Sequence, residues 1–600
     1  MYVAYVFAEL RDTGDLVLPL GGLPNRVHLV DDPGLGPAVA MSLLVAGLLG
    51  LLLHLLVFRP LTGAPALAKV VASVGVMVVL QAVAVLQFGS ANRFVDPVLP
   101  NRPLRLLDVS VPLDRLLLAG LAVVAAGLLA LVFRATRVGL AVRAAAEDDE
   151  AAALLGWSPG LLAAGSWVAA SVLAGLAGIL AAPITALNPL TYTLLVVPAL
   201  AAALVGGLER FGVTVAAALA LGMAQSVLVK LQSEQPWLGT LNLRAALPFL
   251  VIVSVIVLRG QLVPSRSTPP AARLPVAGRP RRPGATVAAG FVVGALALAA
   301  VSGDYRLGLV RSLIGAVICL SVVVLTGYVG QLSIAQMALA GVAGFALSRL
   351  QSDWGVPFPV APLLAAAVAA AVGLLLGLAA RRVRGVDLAV LTLAAGVAVD
   401  EVVFRNPALT GGLGGSPVPA PALLGLDLAP SDAAGPRLAF GVLVLAVLAA
   451  CCWGVARLRL GPHGRRMLAV RVNERAAASA GVDVARTKVG AFALSAFLAG
   501  LGGALIGYSQ GQLSFDSFGV FASLSVLAVA YLGGVVSIGG ALLAGLLFPG
   551  GVLSVLLDTG AGLGPEHQLL LTGVALVGIA VLAPEGLAGL VQRGAARVRR

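Results

Sequence analysis

The stretch TRVGLAVRAAAEDDEAAALLG, residues 136–156, returns later in the chain as LGPHGRRMLAVRVNERAAASAG, residues 460–481. Laid on each other at an offset of 325 residues, Gly139 meets Gly464, Ala144 meets Ala469, Ala151 to Ala153 meet Ala476 to Ala478, and Gly156 meets Gly481. The register continues into the next apolar run, where Gly165 meets Gly490 and Leu173 to Leu176 meet Leu498 to Leu501. Of the 42 pairs from 139 to 180, 13 are identical, against about five expected by chance for this composition, so the chain reads as two copies of one module. After a shift of two residues, Gly206 and Gly207 meet Gly533 and Gly534. Each copy begins in a charged loop and runs into a long apolar segment, so the repeat is parallel.

Those apolar segments set the class. The 600 residues are 59% hydrophobic and 11% charged, with a mean hydropathy of +1.02, whereas soluble domains carry about 25% charged residues. Runs of about twenty apolar residues, each enough to cross a hydrocarbon core of about 30 Å, recur from end to end. Seventeen can be drawn, seven within 38–258 and ten within 286–584, several of them short enough to be re-entrant or broken. The expected fold is all-α: a polytopic integral membrane protein of about 16–17 membrane segments in two parallel-related modules. A β-barrel would show short alternating strands instead. The 73 glycines suit helices that pack through small residues, since lipid supplies no hydrophobic drive between them.

The Pro- and Arg-rich stretch RGQLVPSRSTPPAARLPVAGRPRRPG, residues 259–284, is the clearest composition break. It divides a first module, 1–258, from a second, 285–600, and reads as a solvated cytoplasmic linker. The net charge of +13 sits in short loops, which the positive-inside rule explains without a nucleic-acid partner. Counting spans places the loops at Arg134–Arg143, Arg381–Arg384 and Arg457–Lys488 on the same side as the linker and the C-terminal arginines. Arg93, Arg102 and Arg105 are the exceptions. The same count leaves residues 1–37 outside. Met1–Leu10 is too short to span, so a further apolar segment is expected ahead of Met1.

Three cysteines and four scattered histidines show no metal-ligand spacing, and no nucleophile–base cluster stands out; no metal, cofactor or enzymatic activity is expected. The only lysines, Lys69, Lys230 and Lys488, are followed by Val, Leu and Val. A P-loop needs Lys followed by Ser or Thr, so an ATP-driven cycle would require a separate subunit. In the repeated loops, small residues would let a short helix sit in a groove of another protein. The candidates for this coupling are Gly139, Ala144, Ala151, Ala152 and Gly156 in the first loop, and Gly464, Ala469, Ala476, Ala477 and Gly481 in the second. A long cation at Gly156 or Gly481 is expected to uncouple transport while leaving folding intact. The charges at 147–150 and the polar run Asn473–Arg475 could fix the register of such a contact; a solvated loop without a partner is the plain alternative.

The segments GYVGQLSIAQMALAGVAGF (327–345), RGVDLAVLTLA (384–394), TGGLGG (410–415) and the loop 461–481, in that order, resemble the LivM-type permeases of branched-chain amino acid ABC importers. The first half, from Arg137 through Gly178 to Gly206 and Gly207, resembles the LivH type. Ala335 and Gln336 stand where that family usually has Gly-His, and MYVAYVFAEL resembles the stretch just after the LivH type's opening helix. The resemblance implies one chain holding both permease halves of an importer for branched-chain or other hydrophobic amino acids. It also implies two ABC ATPase subunits inside, a substrate-binding protein outside, and a bacterial plasma (inner) membrane location; permeases for urea or short amides are similar. A stand-alone secondary carrier is the rival class.

Polar groups within apolar spans are costly and become pathway candidates where they face an interior. Gln331, Ser333 and Gln336, spaced by two and three, form the densest such set, and Thr392 lies in another segment. They are expected either to line the path or to join helices by hydrogen bonds. Asp400 and Glu401 are expected to be solvated near the outer end of their span. Gly373 with Gly377 and Gly507 with Gly511 have the spacing of helix contacts.

Overall fold

The computed structural model describes residues 1–19, 26–29, 33–106, 109–235, 242–259, 282–381, 383, 385–423, 425–432, 435–583 and 586–590. The linker from 260 to 281, Arg382, Arg384 and the C-terminal arginines lie outside these. Among the described residues the chain is a helical membrane protein in which twelve helices are long and apolar enough to cross a bilayer. Each of the seventeen apolar runs coincides with a helix or a pair of them, but several are shorter than a full span. Val196–Val205 has 10 residues, and run 535–556 is split into Ile538–Leu546 and Val552–Ala561. The break within that run, residues 547–551, reads LFPGG: a hydropathy window passes over it, although Pro549-Gly550-Gly551 is a turn signal.

The repeat is carried by the backbone with no insertion over four consecutive helices. Leu113–Ala135 and Leu438–Leu460, Arg137–Glu147 and Pro462–Val472, Asp149–Leu154 and Glu474–Ser479, Pro159–Thr185 and Val484–Gln510 begin and end 325 residues apart.

The chain divides into two compact units, one of Met1–Gly63, Val76–Ala224 and Leu569–Val574, the other of Ala64–Gly75, Gln225–Gln568 and Ala575–Arg600. In the first, the short helix Tyr2–Thr13 is buried against Leu35–Leu53 and Pro159–Thr185. Its Glu9, 4% exposed, pairs with Arg26 at 3.0 Å and with Arg93 at 2.5 Å. Arg93 also reaches Asp12 at 2.9 Å. Burial works against the Arg93 charge, but the bonds to Glu9 and Asp12 prevail and hold its guanidinium above the ordinary value. This exception to the charge pattern is thus neutralised by its own neighbours.

The second unit is built around Gly303–Val322 and its continuation in a π-helical turn, Val323–Val329, buried along nearly its whole length. Val484–Gln510 packs beside it and against Val360–Ala380. Gly373 allows that second contact: a Cβ there would meet Ala496 and the Phe492 carbonyl. Gly377 likewise faces Val489 and Phe492, as its spacing predicts. Gly511, by contrast, ends the helix with φ +69°, so its role is the left-handed cap and not a helix contact. Leu243–Arg259 lies on Val386–Val399 in this unit.

Candidate functional site

Each repeated loop folds as a short helix between two caps, with matching bonds. Asp148 Oδ1 accepts from the amides of Glu150 and Ala151, and Asn473 Oδ1 accepts from those of Arg475 and Ala476. These polar residues therefore act as N-caps. At the other end the Trp157 amide donates to Ala152 O at 3.2 Å and the Val482 amide to Ala477 O at 3.0 Å. Gly156 and Gly481 take φ +87° and +81°, which completes a Schellman ending that favours glycine. A Cβ on either would meet nothing within 4 Å. The glycines are thus explained by backbone conformation, and a substitution there strains the turn. That corrects the expectation that a cation at these positions would leave folding untouched. Gly139 and Gly464 serve close approach: a Cβ on either would strike the carbonyl of Val132 or of Leu458. Ala152 and Ala477 are buried, Ala151, Ala469 and Ala476 exposed, and Ala144 intermediate.

The two loops differ in surface. The first exposes Leu154 (90%), Leu155 (75%) and Trp157 (38%); the second carries Ser479, Ala480 and Val482 at those positions. They differ also in what they hold. In the second, Arg471 Nη1 donates to Gly327 O at 2.6 Å, and Glu474 Oε1 lies 2.7 Å from Lys488 Nζ and accepts from Gln331 Nε2 at 3.4 Å. Burial, and then Arg459, holds the Arg471 guanidinium below its ordinary value. Lys488 is only 1% exposed. The positions 325 earlier than Arg471, Glu474 and Lys488 are Ala146, Asp149 and Ala163, so the first loop has no such clasp.

What the clasp holds is a break in the membrane helix. After the π turn the chain leaves helical form at Gly330, φ +76°, and resumes it at Gln336. Side chains from several elements occupy the freed backbone groups. Thr326 Oγ1 donates to Gln331 O at 3.0 Å, the Ile334 amide donates to Thr392 Oγ1 at 3.0 Å, and the Met337 amide donates to Ser523 Oγ at 3.1 Å. Unwound backbone at membrane depth is tolerated where protein satisfies it in this way. A second break, Gly534–Ser537, lies against the π turn that leads into the first, since a Cβ on Gly327 would strike Val535 O.

The structure therefore gathers Gln331, Ser333, Gln336 and Thr392 at one place, all buried. Gln336 joins helices, accepting from Ser321 Oγ and donating to Ser495 Oγ, both at 3.2 Å. Ser333 Oγ accepts from the Ala335 amide and Thr392 serves the break. Gln331 alone reaches the loop. Asp400 and Glu401 are 6% and 8% exposed, which overturns the expectation that they are solvated: Leu243–Arg259 packs against their π-helical turn, Asp400–Phe404.

Long, interrupted helices holding polar groups at depth, with a duplicated loop clasped to one interruption, are the features of a membrane transport component. The family model described as branched-chain amino acid transport system, permease component, matches residues 4–256 and again 306–580. The chain belongs to this permease family. Its two matches follow the two copies of the repeat. The high-affinity branched-chain amino acid transport system permease protein LivM of Salmonella typhimurium LT2 is 32% identical over 282 residues, 44% of this chain and 65% of that protein. The LivM protein of Escherichia coli K12 is 32% identical over 286 residues, with the same shares. The chain thus spans 65% of the length of these permease relatives. No solved structure matches it.

Proposed function

We propose that this permease contributes both modules of the transmembrane part of an ATP-driven importer for branched-chain or other hydrophobic amino acids in a bacterial inner membrane. Two ATPase subunits dock beneath the two repeated loops, and a binding protein delivers substrate from outside. The observation that carries the reading is the loop geometry, repeated bond for bond, inside two matches to one permease family. Cytoplasmic ATPase closure would push on the loops. In the second module that push reaches the break at Gly330–Ala335 through Arg471 and the Glu474–Lys488–Gln331 contacts, and switches the path from outward to inward opening.

Co-expression with candidate ATPase subunits and a binding protein, followed by uptake of tritiated leucine into proteoliposomes, tests it. ATP-dependent uptake that requires all components is expected. Leucine uptake by the chain alone, driven by an ion gradient, would show a secondary carrier instead.

A further inference from the structure

We infer that Asp400 and Arg405 form a binding site for the zwitterionic head of an α-amino acid, a specificity element that rests on the import reading above. The site begins with a backbone anomaly. Residues 400–404 form a π turn, and the Arg405 amide donates to Asp400 O at 3.0 Å. The i to i+5 pitch of such a turn stacks residue 405 over residue 400, a register that an α-helix would not give. Acid and base so share one face of the segment.

Their hydrogen-bonding capacity is unequally used. Glu401 is spent: its Oε2 accepts from Asn242 Nδ2 at 2.5 Å and lies 3.4 Å from Arg405 Nε. Asp400 is 6% exposed, and its Oδ1 has no hydrogen-bond partner among the described residues. A buried carboxylate oxygen without a partner is costly, and it is retained where function fills it. Arg405 is the complement. Its guanidinium rests over the Phe515 ring at 5.3 Å, its side chain is 39% exposed, and among the described residues only its Nε forms an ion pair, with Glu401. A planar guanidinium with its terminal nitrogens unspent matches a carboxylate in two-point fashion.

An orphaned acid oxygen next to an under-used guanidinium is what a molecule bearing both an ammonium and a carboxylate would complete. Arg405, the more exposed, meets the substrate carboxylate first; Asp400, deeper, takes the ammonium.

The assay uses the assembled importer in proteoliposomes, tritiated leucine uptake, and leucine-induced thermal stabilisation of the complex. Asp400→Asn and Arg405→Gln should each lower uptake by about tenfold or more, the effect of one lost charge-assisted hydrogen bond, with ATPase association unchanged. Asp400→Glu should retain most of it. In the unaltered complex, leucine should stabilise, whereas isoamylamine, lacking the carboxylate, and 4-methylpentanoate, lacking the ammonium, should not. The ligand panel decides even if a variant fails to assemble. Normal leucine uptake by Asp400→Asn, or equal stabilisation by 4-methylpentanoate, overturns the site and leaves amino-acid import standing. Uptake of urea in place of leucine overturns both.

Discussion

Lys488 is where a single side chain shows most about the molecule. An ammonium at 1% exposure is tolerable only because Glu474 lies 2.7 Å away, and removing one member of a buried pair costs about 3–5 kcal/mol. Glu474→Gln should therefore lower the unfolding temperature of the purified chain markedly. The double variant Glu474→Gln with Lys488→Met should recover most of the loss, because no uncompensated charge is then buried. A double variant no more stable than the single would show that the pair is not the reason for the burial. From sequence, Lys488 registered only as a lysine that is not a P-loop lysine. A lone cation entering an apolar span, with an acid fourteen residues before it and alanine at the matching place in the other copy, was the signal available. The polar set at Gln331, Ser333 and Gln336 was legible as a set. Its partners were not, because Thr392, Ser495 and Glu474 come from segments that nothing in the local spacing connects.

Among the elements, the repeated loop was readable because its determinants are local: caps, a turn glycine and alanines within twenty residues. The two copies should respond alike to backbone strain and unlike to surface change. Gly156→Ala and Gly481→Ala should each cost about 1–2 kcal/mol, from placing a Cβ in left-handed backbone, read as a lowered unfolding temperature. Leu154→Asp with Leu155→Asp changes only exposed side chains. It should leave that temperature unmoved while reducing co-purification of the ATPase subunits several-fold. Unaltered co-purification would remove the first loop from the docking surface. The helix contact at Gly373 is just as specific. Gly373→Leu forces a branched side chain into Ala496 and the Phe492 carbonyl, overpacking that costs about 1–3 kcal/mol, which thermal unfolding would register.

For the molecule as a whole, composition established the membrane class, and the repeat offset established the plan. The interruption at Gly330–Ala335 coincides with the polar pair Gln331 and Ser333, but its unwound backbone escaped, since the side chains that satisfy it, Thr392 and Ser523, come from distant segments. So did the burial of Asp400 and Glu401, which depends on packing by Leu243–Arg259, a helix far away in the chain. The two family matches flank the stretch 257–305, so the covalent join should be dispensable. Two polypeptides, 1–270 and 271–600, co-expressed in one cell should co-purify and restore leucine uptake to within about twofold of the intact chain; each alone should not. Packing of Leu243–Arg259 on Val386–Val399 supplies the non-covalent contact. Halves that never associate would mean the linker itself is part of the machine.

The clasp also turns the chain into its own indicator. Only three lysines exist in 600 residues, and two of them, Lys69 and Lys230, are exposed. An amine-acylating reagent should therefore modify those two at a constant rate and spare the third while Glu474 covers it. Acylation at residue 488, followed peptide by peptide through the ATP cycle, would report when the second loop lets go of the membrane helix, with no dye, spin label or added cysteine.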